Sequence, residues 1–274
     1  MEMQVLNKNI EEIAKKLRID IIKMIWRAGS GHLGGSLSLV EIMAVLYFHH
    51  LNINPANPCW EDRDRLVLSK GHAAPVLYAC LANKGFFPYD NLATLRRTGS
   101  ILQGHPDMNK TPGVDITTGC LGEGLSAGIG MALGGMLTNK KFWTYAILGD
   151  GETQEGQVWE AAMYASALKT QRLVAIVDNN GCMCDDFIDP IIPMKTFIDK
   201  WIAFGWIVKE IDGHDINQII KTLNDIKENN ISPVLINAKT CKGKGISFME
   251  NNPEWHGRTM NEKEYYKALS ELDV

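Results

Sequence analysis

The chain has 274 residues, 45% of them hydrophobic and 22% charged, a composition expected of a soluble globular protein with apolar material for a large core. Its 28 basic and 32 acidic residues leave a formal charge of -4, so electrostatics favours neither nucleic acid nor a membrane surface, and a small-molecule role is expected. Residues 1–10 lack a continuous apolar core, no later run reaches bilayer length, and the six cysteines are scattered apart from Cys182 and Cys184, so a cytoplasmic chain without disulfides is expected.

Leu6, Ile10, Ile13, Leu17, Ile21 and Met24 recur at three- and four-residue steps, which predicts an amphipathic helix ending before Gly29. Ser38 can cap a second helix over 39–51, Pro55 and Pro58 then force a loop, and a third helix follows Gly71. From about residue 116 short β-rich runs alternate with helical stretches. The near-continuous apolar runs 142–148 and 173–177 suit strands covered on both faces of a parallel sheet, and 206–211 and 234–238 look alike. Helical periods fall over 155–168 and 216–227, and the polar tail from Asn251 reads as a loop plus a short helix. Gly128, Gly130, Ala132, Gly134 and Gly135 would let a helix pack closely on a neighbour. The fold expected over 1–274 is one α/β domain with an N-terminal helical segment, built on a doubly wound, mostly parallel sheet with helices on both faces.

Ligands of such sheets bind beyond the carboxyl ends of the strands. After the run ending at Leu148 comes Gly149-Asp150-Gly151-Glu152, where glycines permit a sharp turn, N–H groups near a helix start can face an anion, and Asp150 is a carboxylate fixed at an exposed strand end. After the run ending at Val177 comes Asp178-Asn179-Asn180-Gly181, whose amide oxygen is a hard ligand suited to magnesium or calcium. Either segment alone reads as a turn. Thirty positions apart (180 minus 150) and each after a buried strand, they read together as a clamp holding a diphosphate through a divalent cation. Cys182-Met183-Cys184 lacks the spacing and second ligand pair of a zinc site. The stretch Gly122 to Gly128 has one residue too many for a dinucleotide fingerprint. Lys242-Gly243-Lys244-Gly245 lacks the Ser or Thr of a nucleotide loop and reads as a solvated turn or a peripheral phosphate contact.

The Gly149-Asp150-Gly151 to Asn179-Asn180 pairing resembles the thiamine-diphosphate signature, and its surroundings resemble transketolase. Ala28-Gly29-Ser30-Gly31-His32-Leu33-Gly34-Gly35-Ser36, Leu68-Ser69-Lys70-Gly71-His72-Ala73 and Gly104-His105-Pro106-Asp107 are similar to the family's first three histidine loops. Thr117 to Gly124 is similar to its cofactor-cradling loop, and Trp255-His256-Gly257 to its last histidine. The resemblance implies that Asp150, the Asn180 side chain and the Cys182 carbonyl bind Mg2+ or Ca2+. It further implies that Gly151 gives its N–H to the diphosphate, His72 touches that group, and Gly119 and Leu121 contact the cofactor. His32 and His256 would meet a ketose near the reacting carbons, and His105 a sugar hydroxyl.

Four of the seven histidines (His32, His72, His105 and His256) stand beside glycine in irregular stretches, and imidazole exchanges protons and hydrogen bonds near neutral pH. His49, His50 and His214 match no such motif. Glu155 and Glu160 open the helix after the aspartate loop; the helix dipole alone accounts for Glu155, whereas the resemblance puts both in a dimer interface linking two cofactor sites. Leu33, Cys120 and Glu123 depart from the family's usual residues, and an inward-pointing Glu123 would set an acid against an anionic cofactor. In the family the glutamate that activates the cofactor lies in a second, pyrimidine-binding domain. The resemblance therefore implies an N-terminal subunit that transfers a two-carbon ketol unit from a ketose phosphate to an aldose phosphate after pairing with a C-terminal subunit, in a dimer of heterodimers. The rivals are a 2-oxo acid dehydrogenase component, disfavoured by the spaced histidines, a specialised sugar or sulfosugar transketolase, and a non-catalytic module.

Overall fold

The computed structural model describes residues 2–184, 186–229 and 232–274. The opening periodicity becomes α1 (Glu2–Ala28), which buries Ile10, Leu17, Ile21 and Ile25. It ends where Gly29 takes a positive φ of 64° and returns its N–H to the Ile25 carbonyl at 3.0 Å, a conformation that favours glycine.

The second helix expected over 39–51 is present, and only its cap is corrected. After a short helix, α2 (Leu33–Leu37), it runs as α3 (Val40–Val45) straight into a π-helical turn (Leu46–His50). Ser38 ends α2 rather than capping the start of α3; its hydroxyl reaches the Gly35 carbonyl at 3.2 Å and Asp178 Oδ2 at 2.5 Å, because a fully buried carboxylate needs every donor within reach. The third helix stands after Gly71 as α4 (Ala74–Lys84).

The sheet holds β1 (Arg65–Leu68), β2 (Thr144–Gly149), β3 (Leu173–Asn179), β4 (Ile207–Asp212) and β5 (Val234–Lys239), in the order β1-β2-β3-β5-β4. All four pairings are parallel. No sequence pattern marks β1, since four residues behind a charged run are too short to show a period. Five further helices are α5 (Glu123–Leu137), α6 (Gly156–Ala167), α7 (Phe197–Ala203), α8 (Ile216–Glu228) and α9 (Glu262–Glu271). Asp215 caps α8 by accepting from the N–H groups of Asn217 and Gln218, and α9 opens on a capping box of Asn261 and Glu264.

Alternate strand residues divide the core in two. Tyr145, Ile147, Val174 and Ile236 face the layer containing α1, α3, α4 and α8. Ala146, Leu148, Ala175 and Val177 face the layer of α5, α6 and α7, where Trp201 is fully buried. Both faces are thus covered over β2, β3 and β5, as their apolar runs require; the like run at 206–211 is corrected, since β4 is an edge strand that buries only Ile211. Of the small residues expected to bring α5 close, Gly128 does so: a Cβ there would stand 3.6 Å from Ala146 Cβ. Gly130 and Gly134 instead face open space, because they lie on the side of α5 turned from the sheet.

Candidate active site

Register sets the site. Gly149 pairs with Asp178 across β2 and β3, so the two loops leave the sheet side by side, and the Asp150 N–H reaches the Asp178 carbonyl at 3.3 Å. Asp150 is not at an exposed end: only 2% of it is accessible, because the glycine turn folds it inward. Its Oδ1 accepts from Gly151 N at 2.8 Å and its Oδ2 from Gly181 N at 2.6 Å, so one carboxylate ties both loops. Burial, reinforced by the neighbouring Asp178 charge, pushes its pKa up to about 7.

Asp178 is fully buried and ion-paired with Lys70 Nζ, and Thr240 Oγ1 donates to its other oxygen. Burial opposes its ionisation, but the Lys70 ammonium and the hydroxyls override this and hold its pKa below the usual carboxylate range. Asn180 donates Nδ2 to Asp178 Oδ2 at 3.2 Å, which fixes the amide; its Oδ1 accepts from Cys182 N at 3.1 Å. Glu152, also buried, accepts from Ser69 Oγ and from the N–H groups of Gly122 and Gly149, both at 2.9 Å. It joins the loop before α5 to the turn after β2.

Above these loops opens a cleft of about 440 Å³, lined by Asp150, Gly151, Asn180 and Cys182 together with His32, His72 and His256. The three imidazoles are packed together, with ring centroids 5.2 Å apart for His32 to His72 and His32 to His256, and 5.0 Å for His72 to His256. Burial first, then nearby cationic groups, lowers their pKa values to about 4 for His32, 2 for His72 and 3 for His256, so all three are neutral at pH 7. Nδ1 of His32 is buried without a hydrogen-bond partner.

Gly119 and Leu121 line the cleft, with Leu121 39% exposed. His105 stands beside Gly119, where a Cβ would approach its ring to 3.5 Å; it is exposed and outside the three-ring cluster. Glu155 lines the cleft at the N-cap of α6, and Glu160 is exposed one turn on. Glu123 is also exposed rather than turned inward.

Lys242 requires a correction. It is only 2% exposed and its Nζ donates to the Met183 carbonyl at 2.9 Å and meets His256 Nδ1 at 3.0 Å, so the segment is no solvated turn. Close approach of Gly34 buries it: a Cβ on that glycine would stand 2.8 Å from Lys242 Cγ. Sequence reasoning assigns no role to Lys70, Asp178 or Glu152, and gives Lys242 only a solvated turn or a peripheral phosphate contact. A lysine directly before Gly71-His72 and an acid directly before Asn179-Asn180 are the available signals.

Among the described residues no helix is long and apolar enough to cross a membrane, and Cys59, Cys80, Cys120, Cys182 and Cys241 carry free thiols.

The cleft lies at the carboxyl edge of the parallel sheet, where ligands of such folds bind. The family described as transketolase, thiamine diphosphate binding domain, matches residues 9–272, and the chain belongs to it. The chain is 44% identical over 265 residues to the 6-deoxy-6-sulfo-D-fructose transketolase subunit SqwG of Clostridium sp. (strain MSTE9), covering 97% of this chain and 96% of that one. It is 38% identical to an apulose-4-phosphate transketolase subunit of Phocaeicola vulgatus, covering 97% and 94%. Against Homo sapiens transketolase it is 40% identical, covering 96% of this chain but 42% of the human one. The Campylobacter jejuni transketolase structure superposes with a TM-score of 0.91 at 33% identity, covering 97% of this chain and 43% of that one.

Proposed function

We propose that the chain is the N-terminal, diphosphate-binding subunit of a two-chain cytoplasmic transketolase, completed by a separate C-terminal subunit with the pyrimidine-binding domain and assembled in a dimer of heterodimers. The observation that carries this is the convergence of the Asp150 and Asn180 loops and three neutral histidines on one cleft. The two relatives named as subunits match over nearly their whole length, whereas the human transketolase extends far beyond this chain.

The residues present fit a divalent cation and a diphosphate. Among the described residues no group of three His, Cys, Asp or Glu side chains is arranged to hold a metal ion; a cation would be held by Asp150 with the Asn180 amide oxygen and the Cys182 carbonyl. That hard oxygen set suits Mg2+ or Ca2+ rather than zinc. Gly151 keeps the turn bare, since a Cβ would stand 3.2 Å from Met183 Cβ; its N–H, which donates to Asp150 Oδ1 at 2.8 Å, would have to pass from that carboxylate to the diphosphate. His72 would meet the diphosphate, and Gly119 and Leu121 the cofactor's ring. Bound thiamine diphosphate supplies the electron sink for the two-carbon fragment.

The remaining work falls to this chain's side chains. The Lys242 ammonium can only donate, so Nδ1 of His256 accepts and its Nε2 carries the proton, poised to donate to a sugar oxygen. His32, which lines the same cleft, would meet the ketose near the reacting carbons. His105 at the mouth would bind a further hydroxyl. Glu155 and Glu160 would face a second copy across the interface. Two relatives are named for sugars bearing a sulfonate or a phosphate, so the substrate class is a ketose and an aldose with a terminal anion, as in pentose phosphate metabolism.

The test is co-purification from the source cells, followed by ketol transfer with phosphorylated and 6-sulfo sugars. A pyrimidine-domain partner whose addition confers Mg2+- and thiamine-diphosphate-dependent transfer is the expected result. A partner-bound complex that fails to bind the cofactor would return the chain to a non-catalytic module.

A further inference from the structure

The segment that carries Lys242 into the cleft is held from behind by residues that do not line the cleft. The Cys241 N–H donates to His214 Nε2 at 2.8 Å. An imidazole nitrogen that accepts carries no proton, so Nδ1 of His214 is the protonated one, and it donates to Glu41 Oε2 at 2.9 Å. The other Glu41 oxygen, Oε1, is ion-paired with Arg18, whose Nε donates to the Lys244 carbonyl at 3.0 Å. Glu41 and Arg18 are 8% and 7% exposed, so these bonds are made away from competing water. The loop is therefore gripped at Cys241 and at Lys244, on either side of Lys242 and Gly243, by two arms that meet on one carboxylate.

Main-chain contacts tighten the grip. Gly243 has a φ of 76° and gives its N–H to the Gly34 carbonyl at 3.1 Å, and a Cβ on Gly245 would stand 2.6 Å from Arg18 Nε. The three side chains line a second cavity of about 430 Å³ on the far side of the loop.

From this geometry we infer that Arg18, Glu41 and His214 are positioning residues that set Lys242 against His256 by clamping the 241–245 loop. His214, which matches none of the cleft's motifs, acts through a main-chain amide. Its effect on chemistry rests on the cofactor reading given above, whereas its effect on the loop does not.

The test uses the full chain and two readouts. The first is reductive methylation with mass-spectrometric mapping, together with hydrogen exchange over 241–245; Lys244, whose side chain is 38% exposed, serves as the internal reference. His214→Leu removes both hydrogen bonds and is expected to raise Lys242 labelling and local exchange about tenfold, the factor for one buried hydrogen bond. His214→Gln presents one acceptor and one donor at similar spacing and is expected to restore protection, which an effect on folding alone would not do. Glu41→Gln, nearly unchanged in size, places an amide donor against one arm and is expected to loosen the loop too, so the inference survives a Leu variant that does not fold. Labelling and exchange equal to the parent's in the folded variants would overturn it.

The second readout is titration of the same chains with thiamine diphosphate and Mg2+. His214→Leu is expected to weaken binding about tenfold, and that difference is expected to vanish in a Lys242→Met background. An undiminished difference would overturn action through Lys242. A parent chain and complex that bind no thiamine diphosphate would defeat the functional reading while leaving the labelling result to decide the clamp.

Discussion

Nζ of Lys242 stands 3.0 Å from Nδ1 of His256, deep in the cleft, and this contact fixes which imidazole nitrogen carries the proton. Burial first and then the Lys242 charge keep His256 neutral, with a pKa lowered to about 3. Lys242→Met keeps the stem's volume and removes the cation, so the His256 pKa is expected to rise, and either tautomer becomes available. Histidine NMR titration of the full chain reads this. In the assembled enzyme kcat/KM is expected to fall about tenfold or more, the scale of a lost charge-assisted hydrogen bond. An unmoved His256 titration would remove Lys242 as its partner.

Asp150→Asn tests the cation clamp with less damage than Asp150→Ala. The carboxylate accepts from Gly151 N and Gly181 N, so alanine would strip both bonds and confuse folding with binding. Changing an outer partner of a metal ligand costs about 10–100-fold in affinity, so loss of the carboxylate itself is expected to weaken Mg2+-dependent thiamine diphosphate binding by at least about a hundredfold. Unchanged affinity in the assembled complex would discard Asp150 as a ligand.

The same carboxyl gives a pH signature. Its folded pKa is raised from an ordinary 3.8 to about 7 by burial and then by Asp178. Between those values the folded state holds a proton that the unfolded chain has released, so without a cation its contribution to stability declines as pH rises from about 4 to 7. A divalent cation takes the proton's place. Mg2+ is therefore expected to raise Tm more at about pH 8 than at about pH 5.5, and the dependence should vanish in Asp150→Asn. Equal Mg2+ effects at both pH values in the parent would contradict the assignment.

The histidine cluster has the opposite sign. Folded pKa values of about 4, 2 and 3 for His32, His72 and His256 lie below the ordinary 6.5, so the unfolded chain takes up protons first as pH falls. Their contribution is fully present above about pH 6.5 and is lost progressively as the pH falls from there toward the folded values. Calorimetry at about pH 7.5, 6.5 and 5.5 should show Tm falling more steeply for the parent than for His72→Gln. Parallel slopes would mean that His72 titrates normally.

Much of this arrangement is readable in the chain, and the exceptions share a cause. Asp150 and Asn180 can be placed because each follows an apolar run, and parallel strands deliver their ends to one edge. The Lys70 to Asp178 ion pair spans 108 positions, and no local pattern announces a contact across that separation. Lys242 defeats a local reading because a lysine between glycines ordinarily projects into water; here Gly34 of α2 closes over it, a fact of tertiary packing. Ser38 looks like a cap because capping is the local use of a serine, and it is instead drawn to a buried carboxylate on β3. The histidines can be grouped by their glycine neighbours, but their contact distances come only from the fold.

Packing between α5 and the loop after β1 supplies a last test, because it supports the cleft without lining it. A Cβ on Gly124 would lie 2.3 Å from Ser69 Oγ and 2.7 Å from Ser69 Cα, and the second atom is main chain that cannot swing aside. Ser69 in turn donates to Glu152, which holds Gly122 and Gly149. Gly124→Ala is therefore expected to cost about 1–3 kcal/mol by overpacking and to weaken cofactor binding through the displaced turn. Gly130→Ala is the control: the same helix, nothing within 4 Å, and an expected gain of about 0.5–1 kcal/mol from helix propensity. Denaturant midpoints for the two variants should move in opposite directions from the parent. A Gly124→Ala chain as stable as Gly130→Ala would show that Ser69 can yield, and that the loop beneath the cleft is looser than its glycines require.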